Sequence, residues 1–173
     1  MTRLILAIGL LLFGTGCVHK IHVSPVAPHP SARQIPRTVH VVVPFLSLQG
    51  ADHMPGIALF EWPAKDLQNA TIDYLGQRQT FMGAGPIPGD LTLTIRAWLA
   101  MTSRGDYRYA LRLESDLGLP GKPPIKSYVV EKEETGSQVR WTTASDQAPV
   151  ARAVQGALDE LLTKIEGDAS LFQ

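Results

Sequence analysis

From residue 91 to residue 114 much of the chain alternates apolar and polar positions with a period of two. Leu91, Leu93, Ile95, Ala97 and Leu99 are interleaved with Thr92, Thr94, Arg96 and Trp98. Tyr107, Tyr109, Leu111 and Leu113 are interleaved with Arg108, Ala110, Arg112 and Glu114. Successive side chains of a strand point to opposite faces, so each run predicts a strand with one buried face and one that is wet or bound to something. Arg104-Gly105-Asp106 lies between the runs and reads as the tight turn of a hairpin. The tripeptide also spells an integrin-binding sequence, but a turn accounts for it without adhesion.

A second pattern has the helical period. Val150, Ala153, Val154, Ala157, Leu158, Leu161, Leu162 and Ile165 form an apolar stripe, with Arg152, Asp159, Glu160, Lys164 and Glu166 on the other face. Ser145 or Asp146 can cap this helix, Pro149 suits its first turn and Gly167 ends it. Leu67, Ala70, Thr71, Tyr74 and Leu75 predict another helix, opened by Trp62-Pro63 and running through Gln79. Val39 to Leu46 is nearly continuous in apolar, β-branched residues and reads as a strand covered on both faces. Further strands are expected at Thr80–Met82, at Ile125–Glu133 and, as a short edge around Trp141, at Gln138–Thr142. Glu131, Lys132, Glu133 and Glu134 read as a solvated strand end. The order strand, helix, three or four strands, helix predicts an α+β fold. Its two helices pack on one face of a four- to five-stranded, mostly antiparallel sheet.

The front of the chain has neither period. Met1-Thr2-Arg3 is short and positive, and Leu4 to Phe13 is an apolar run of ten residues. A bilayer core of about 30 Å needs about 20 helical residues, so the run is too short to span and has the length of a signal-peptide core. Gly14-Thr15-Gly16 offers small residues to a peptidase, and Cys17 follows. It is the single cysteine, so no internal disulfide forms, and an unpaired thiol in an oxidising compartment is a liability unless modified. From Val18 to Thr38, Pro25, Pro28, Pro30 and Pro36 interrupt helices and central strands. Such a segment favours an extended form of about 3.1 Å per residue, a tether reaching roughly 60 Å. The expected organisation is therefore a signal peptide at 1–16, the cysteine and a Pro-rich tether at 17–38, and a folded domain at 39–173.

The leader resembles the lipobox of bacterial lipoproteins, although Gly14 stands where that family favours leucine. The resemblance implies a diacylglycerol on the Cys17 sulfur, cleavage just before Cys17, and an acyl chain on the new amine. Several such chains anchor stably, each buried methylene contributing about 0.8 kcal/mol. Val18, rather than an aspartate, implies sorting to the periplasmic face of the outer membrane, with the inner membrane as the alternative.

Composition removes several functions. With hydrophobic residues at 45% and charged ones at 18%, the chain is globular, and Lys+Arg and Asp+Glu are both 16. That balance offers no clustered positive charge for nucleic acid. His19, His22 and His29 are interrupted by prolines, with no cysteine or acidic ligand among them, so no metal site is expected. There is no G-x-S-x-G, Ser103 has no evident base, and no thiol exists beyond Cys17. Gly83-Ala84-Gly85 runs into prolines instead of opening a helix, so it is no phosphate cradle. The expectation is a protein that is not an enzyme and carries no cofactor besides its covalent lipid. Binding is the better class. The wet face of the hairpin carries Arg96, Trp98, Arg108 and Arg112, and Trp and Arg are enriched at binding hot spots. If Trp98 pairs with Arg112, Arg96 faces Glu114, and both pairs could be self-satisfied surface contacts instead.

The lipobox, Ser24-Pro25, the hairpin SRGDYRYALRLESDLGL and the tail DQAPVARAVQGALDELLTKIEGDASLF together resemble the YajG family of small bacterial lipoproteins. LptE-like proteins and ABC-transporter auxiliary lipoproteins are more distantly similar. The resemblance implies a membrane held through the lipid anchor and a non-catalytic envelope protein as partner. The roles it leaves open are an adaptor, an auxiliary component of ABC-type lipid or substrate transport, and an activator of a peptidoglycan synthase.

Overall fold

Strand and helix periods both fold as they read. The computed structural model describes residues 19–50, 60–104, 106–136 and 146–172. In chain order the elements are β1 (His19–Lys20), β2 (Ile35–Gln49), β3 (Phe60–Glu61), α1 (Ala64–Arg78), β4 (Phe81–Gly85), β5 (Leu91–Arg104), β6 (Asp106–Gly118), β7 (Pro124–Thr135) and α2 (Gln147–Glu166), closed by a 3-10 turn at Ala169–Phe172. A five-stranded sheet has the order β4-β2-β5-β6-β7, and β1 and β3 form a separate parallel pair. The class is α+β. The antiparallel meander β5-β6-β7 holds the long ladders, while β2 runs parallel to both β4 and β5.

Two parallel strands on either side of β2 are joined by only five residues, Pro86–Asp90. A parallel connection ordinarily needs a dozen or more. Here β4 ends level with His40 and β5 starts level with Val39, so the chain needs only to cross β2. The crossing is close: a Cβ on Gly89 would lie 3.0 Å from Thr38 Oγ1. Asp90 pins it, its Oδ2 accepting from both the backbone N and the hydroxyl of Thr38 at 2.8 Å.

The hairpin register puts Leu93 opposite Leu117, Ile95 opposite Ser115, Ala97 opposite Leu113 and Leu99 opposite Leu111. These inward side chains are at most 2% exposed, as are all eight residues of the α2 stripe. Fully burying a large apolar side chain contributes about 1.5–3 kcal/mol, so this shared core dominates the stability. Ser115 is the misfit in it. Its Oγ is buried with no hydrogen-bond partner among the described residues, and an unpaired buried hydroxyl costs about 1–3 kcal/mol. Ser115→Ala is therefore expected to raise stability by about 1 kcal/mol, read as a higher denaturation midpoint with unchanged slope. A drop in midpoint would show that the hydroxyl has a partner.

Three expectations need correction. Residues 20–38 are not a free tether. Ile21, Val23 and Ile35 are 0–1% exposed in the main core, and β2 starts at Ile35, four residues before the expected boundary. The segment lies in the cleft between the helices: the Val26 amide points at Gln155 of α2 (3.5 Å), the Ala27 amide donates to Gln77 of α1 (3.0 Å), and the Ser31 amide donates to the Arg78 carbonyl (2.6 Å). Prolines suit this strap because an extended chain lying on helices needs few amide donors. Second, β2 is not covered on both faces. Its ladder shifts between Val42 and Phe45, and Phe45 emerges 44% exposed while Val39 and Val41 stay buried. Third, Glu131–Glu134 are not merely solvated: each pairs, with Arg112, Glu160, Arg108 and Arg152 in turn. The α2 N-cap is Asp146, whose carboxylate makes no cap bond and takes the buried Tyr109 hydroxyl instead. The leader, Cys17, His53, the 138–142 segment and Ser145 lie outside the described residues. Among those described, no helix is long and apolar enough to cross a membrane.

Candidate functional site

Even-numbered residues of β5 and β6 leave the core side and form the outer face of the sheet. The register places Trp98 opposite Arg112 and Arg96 opposite Glu114, as the turn at 104–106 dictates. Arg112 in turn faces Glu131 on β7. On the other flank Phe45 and Ser47 of β2 stand beside Arg96 and Trp98. The Phe45 and Trp98 rings meet at 5.4 Å between centroids, tilted by 50°, the offset contact that aromatic quadrupoles favour. Arg96, Trp98 and Arg112 are thus brought together, with Arg108 four residues nearer the hairpin turn on the same face.

None of the three arginines is a free cation. Arg96 bonds Asp116 at 2.8 Å and approaches Glu114 at 3.8 Å. Arg112 bridges Glu114 at 2.8 Å and Glu131 at 2.6 Å, and Arg108 bonds Glu133 at 3.0 Å. The Ser127 hydroxyl and, after it, Arg96 hold the Asp116 carboxyl below the usual range. Glu114 and Glu131 hold the Arg112 guanidinium above its usual value. Three guanidinium groups thus meet four carboxylates, and the face as a whole does not invite an anion.

Between these ladders the sheet is indented. An open hollow of about 400 Å³ has Trp98, Ala100 and Ala110 on its floor, with Gln49, Arg112, Glu131 and Glu133 around it. Alanines at 100 and 110 make the hollow, since longer side chains on those facing positions would fill it. Glu131 and Glu133 stand 65% and 55% exposed at its rim. Sequence reasoning missed Phe45, Gln49 and the two glutamates. The one legible signal was Pro44, a residue that interrupts a central ladder and turns its neighbour out. A second hollow, about 410 Å³, lies beside the 86–89 crossing, where Met82 and Ile87 are exposed. Among the described residues no group of three or more His, Cys, Asp or Glu is placed to hold a metal ion.

No protein-family model and no curated protein matches the sequence. Solved structures do match its fold. A Xanthomonas campestris protein of the DUF330 family superposes with a TM-score of 0.60 at 17% identity, over 85% of this chain and 96% of that one. A homolog of the neuraminyllactose-binding hemagglutinin of Helicobacter pylori gives a TM-score of 0.53 at 11% identity, over 88% and 94%. The minor lipoprotein of Acinetobacter baumannii gives 0.48 at 10% identity, over 70% and 91%. At these identities the likeness to the first two is one of fold alone.

Proposed function

We propose that this chain is a lipid-anchored, non-catalytic accessory protein of the bacterial envelope that docks a protein partner on the outer face of its sheet. The observation that carries the docking role is the hollow beside Trp98. It supplies a half-buried aromatic wall, an alanine floor and a polar rim, the anatomy of a hot spot with its surround. Both helices cover the opposite face in this reading, supported by the Arg78 bridge that joins them and by their common core. Among the described residues the inward faces of the strands, the α2 stripe and Ile21 and Val23 of the strap pack into one core, which favours an adaptor over a carrier of lipid. Cys17 as the acylated residue, a YajG-like identity and outer-membrane sorting belong to the same proposal and rest on the leader and on Val18.

The rim states what the partner offers. The arginines and the rim glutamates Glu131 and Glu133 neutralise one another, so the fitting segment is defined by an apolar side chain for the hollow, and the single carboxylate in excess favours a basic residue beside it. Trp98→Ala is expected to weaken capture by about 30-fold, the effect of losing one hot spot worth about 2 kcal/mol. The readout is photo-crosslinking in cells from a probe at the exposed rim residue Gln49, with mass spectrometry of the product. Crosslinking that persists at full yield in a normally folded Trp98→Ala variant would place the interaction on another surface.

A further inference from the structure

Three hydrogen bonds place residues 21–23 at one end of the domain. The Ile21 amide donates to the Glu61 carbonyl at 2.8 Å, the Val23 amide to Asp66 at 3.0 Å, and Gln147 reaches the His22 carbonyl. Glu61 and Asp66 mark the entry to α1, and Gln147 is the first residue of α2. Asp146, just before it, holds the Tyr109 hydroxyl, and Tyr109 faces Met101 near the end of β5. Residues 20–23, both helix N-termini and the turn of the β5–β6 hairpin therefore share one end. The opposite end is the β6–β7 turn, where Gly118 faces Thr92 and the Lys122 amide donates to Leu119 at 3.1 Å. Thr92 and Thr102 are ten residues apart on one strand, about 33 Å.

Ile21, whose side chain is 1% exposed, is only four positions beyond Cys17. Fully extended, four residues span at most about 14 Å. We infer that the end bearing the hairpin turn and the two helix N-termini is held against the bilayer surface, with the β6–β7 turn pointing away from it. This rests on the reading of Cys17 as acylated. A long tether would let the domain tumble; a strap locked between the helices does not, because turning the domain over requires Ile21 and Val23 to leave the core. The outer-face hollow follows suit. Trp98 is six residues from the hairpin turn, about 20 Å along the strand, so the docking face stands beside the membrane, in reach of a partner segment emerging from it.

The test uses the mature protein, expressed with its leader, purified with its acyl chains and placed in phosphatidylethanolamine–phosphatidylglycerol vesicles carrying nitroxide headgroups. Single Thr102→Cys and Lys122→Cys variants carry the same fluorophore, both sites being exposed. Quenching several-fold stronger at 102 than at 122 is expected. Inserting a twenty-residue Gly/Ser linker after Val18 should equalise the two while the protein stays on the vesicles. Equal quenching without the linker, or stronger quenching at 122, overturns the orientation. Intact mass on the same sample separates the premises: an unacylated Cys17 with no vesicle binding rejects the lipoprotein reading itself.

Discussion

Arg78→Met is expected to cost about 3–5 kcal/mol at neutral pH, because it leaves a buried carboxylate without its counter-charge. Arg78 ends α1 and is 11% exposed. Its Nε and Nη2 both donate to Glu166 of α2 at 2.9 Å, Nη2 also to Thr163 at 3.0 Å, and Nη1 to Asp159. Glu166, 14% exposed, accepts from the Thr80 hydroxyl as well, at 2.7 Å. Methionine keeps much of the arginine stem's bulk, so the loss falls on the bridge between the helices. The Asp159 arm contributes less, since that carboxylate is 45% exposed and screened by water. Burial and then Asp159 push the Tyr74 hydroxyl up to about 12, so it stays a neutral donor to Asp159 throughout. With a typical urea slope of about 2 kcal/mol/M, the midpoint should fall by about 2 M.

The same substitution carries a signed pH dependence. Burial pushes the Glu166 carboxyl up, but the Arg78 and Thr80 hydrogen bonds outweigh it, and the group sits below its usual value. A carboxyl lowered in the folded state stabilises above its unfolded pKa of about 4.3 and loses that contribution as pH falls through the lowered value. Without Arg78 the burial effect is left largely unopposed, the carboxyl rises, and folding takes up a proton as pH falls. The gap between wild type and Arg78→Met should therefore be widest at pH 7 and narrow toward pH 4. A gap that stays constant would mean that the cost comes from packing and not from the stranded charge.

How far the sequence discloses this molecule depends on whether the relevant physics is local. The β5–β6 pairs follow from a turn centred on Gly105 and a period of two, so Trp98 against Arg112 was legible without coordinates. The α2 stripe was legible for the same reason: eight apolar residues on one helical face have no other place to go. The strap was not. Prolines exclude helix and central strand, but they are silent on whether an extended chain is free or pressed between two helices. Its trace was the alternation of Ile21, Val23 and Pro25 with His22, Ser24 and Val26, too short to weigh against the prolines around it. The ion pairs of Glu131–Glu134 reach β6 and α2, and no local pattern encodes such partners. At the candidate site the sequence supplied the aromatic and the cations. It withheld the hollow, which depends on two alanines meeting across strands and on β2 turning Phe45 outward.

Asp66→Ala is expected to free the strap, at a cost of about 3 kcal/mol, since it strips the acceptor from two buried donors worth about 1–3 kcal/mol each. One carboxylate, 11% exposed, takes the Val23 amide and the Trp62 indole N–H, both at 3.0 Å, together with the His22 ring. Trp62 is 2% exposed and has no water to turn to. An acid in the first turn of α1 also complements the helix dipole, about 0.3–1 kcal/mol more. Amide exchange at Ile21 and Val23 should accelerate far more than exchange at Leu111 or Leu113, because the strap opens as a unit while the sheet stays closed. Ile21→Ala acts on that same unit, so the double variant should cost less than the sum of the singles. Strict additivity, or unchanged protection at Val23, would mean that the strap is held by something other than Asp66. The consequence outside the core is geometric. With residues 18–34 released, the first fixed position becomes Ile35, and eighteen residues of chain span about 60 Å instead of about 14 Å. An acylated Asp66→Ala protein would stay on the membrane yet lose its fixed orientation, so the clamp that stabilises the fold also determines how far the docking face stands from the bilayer.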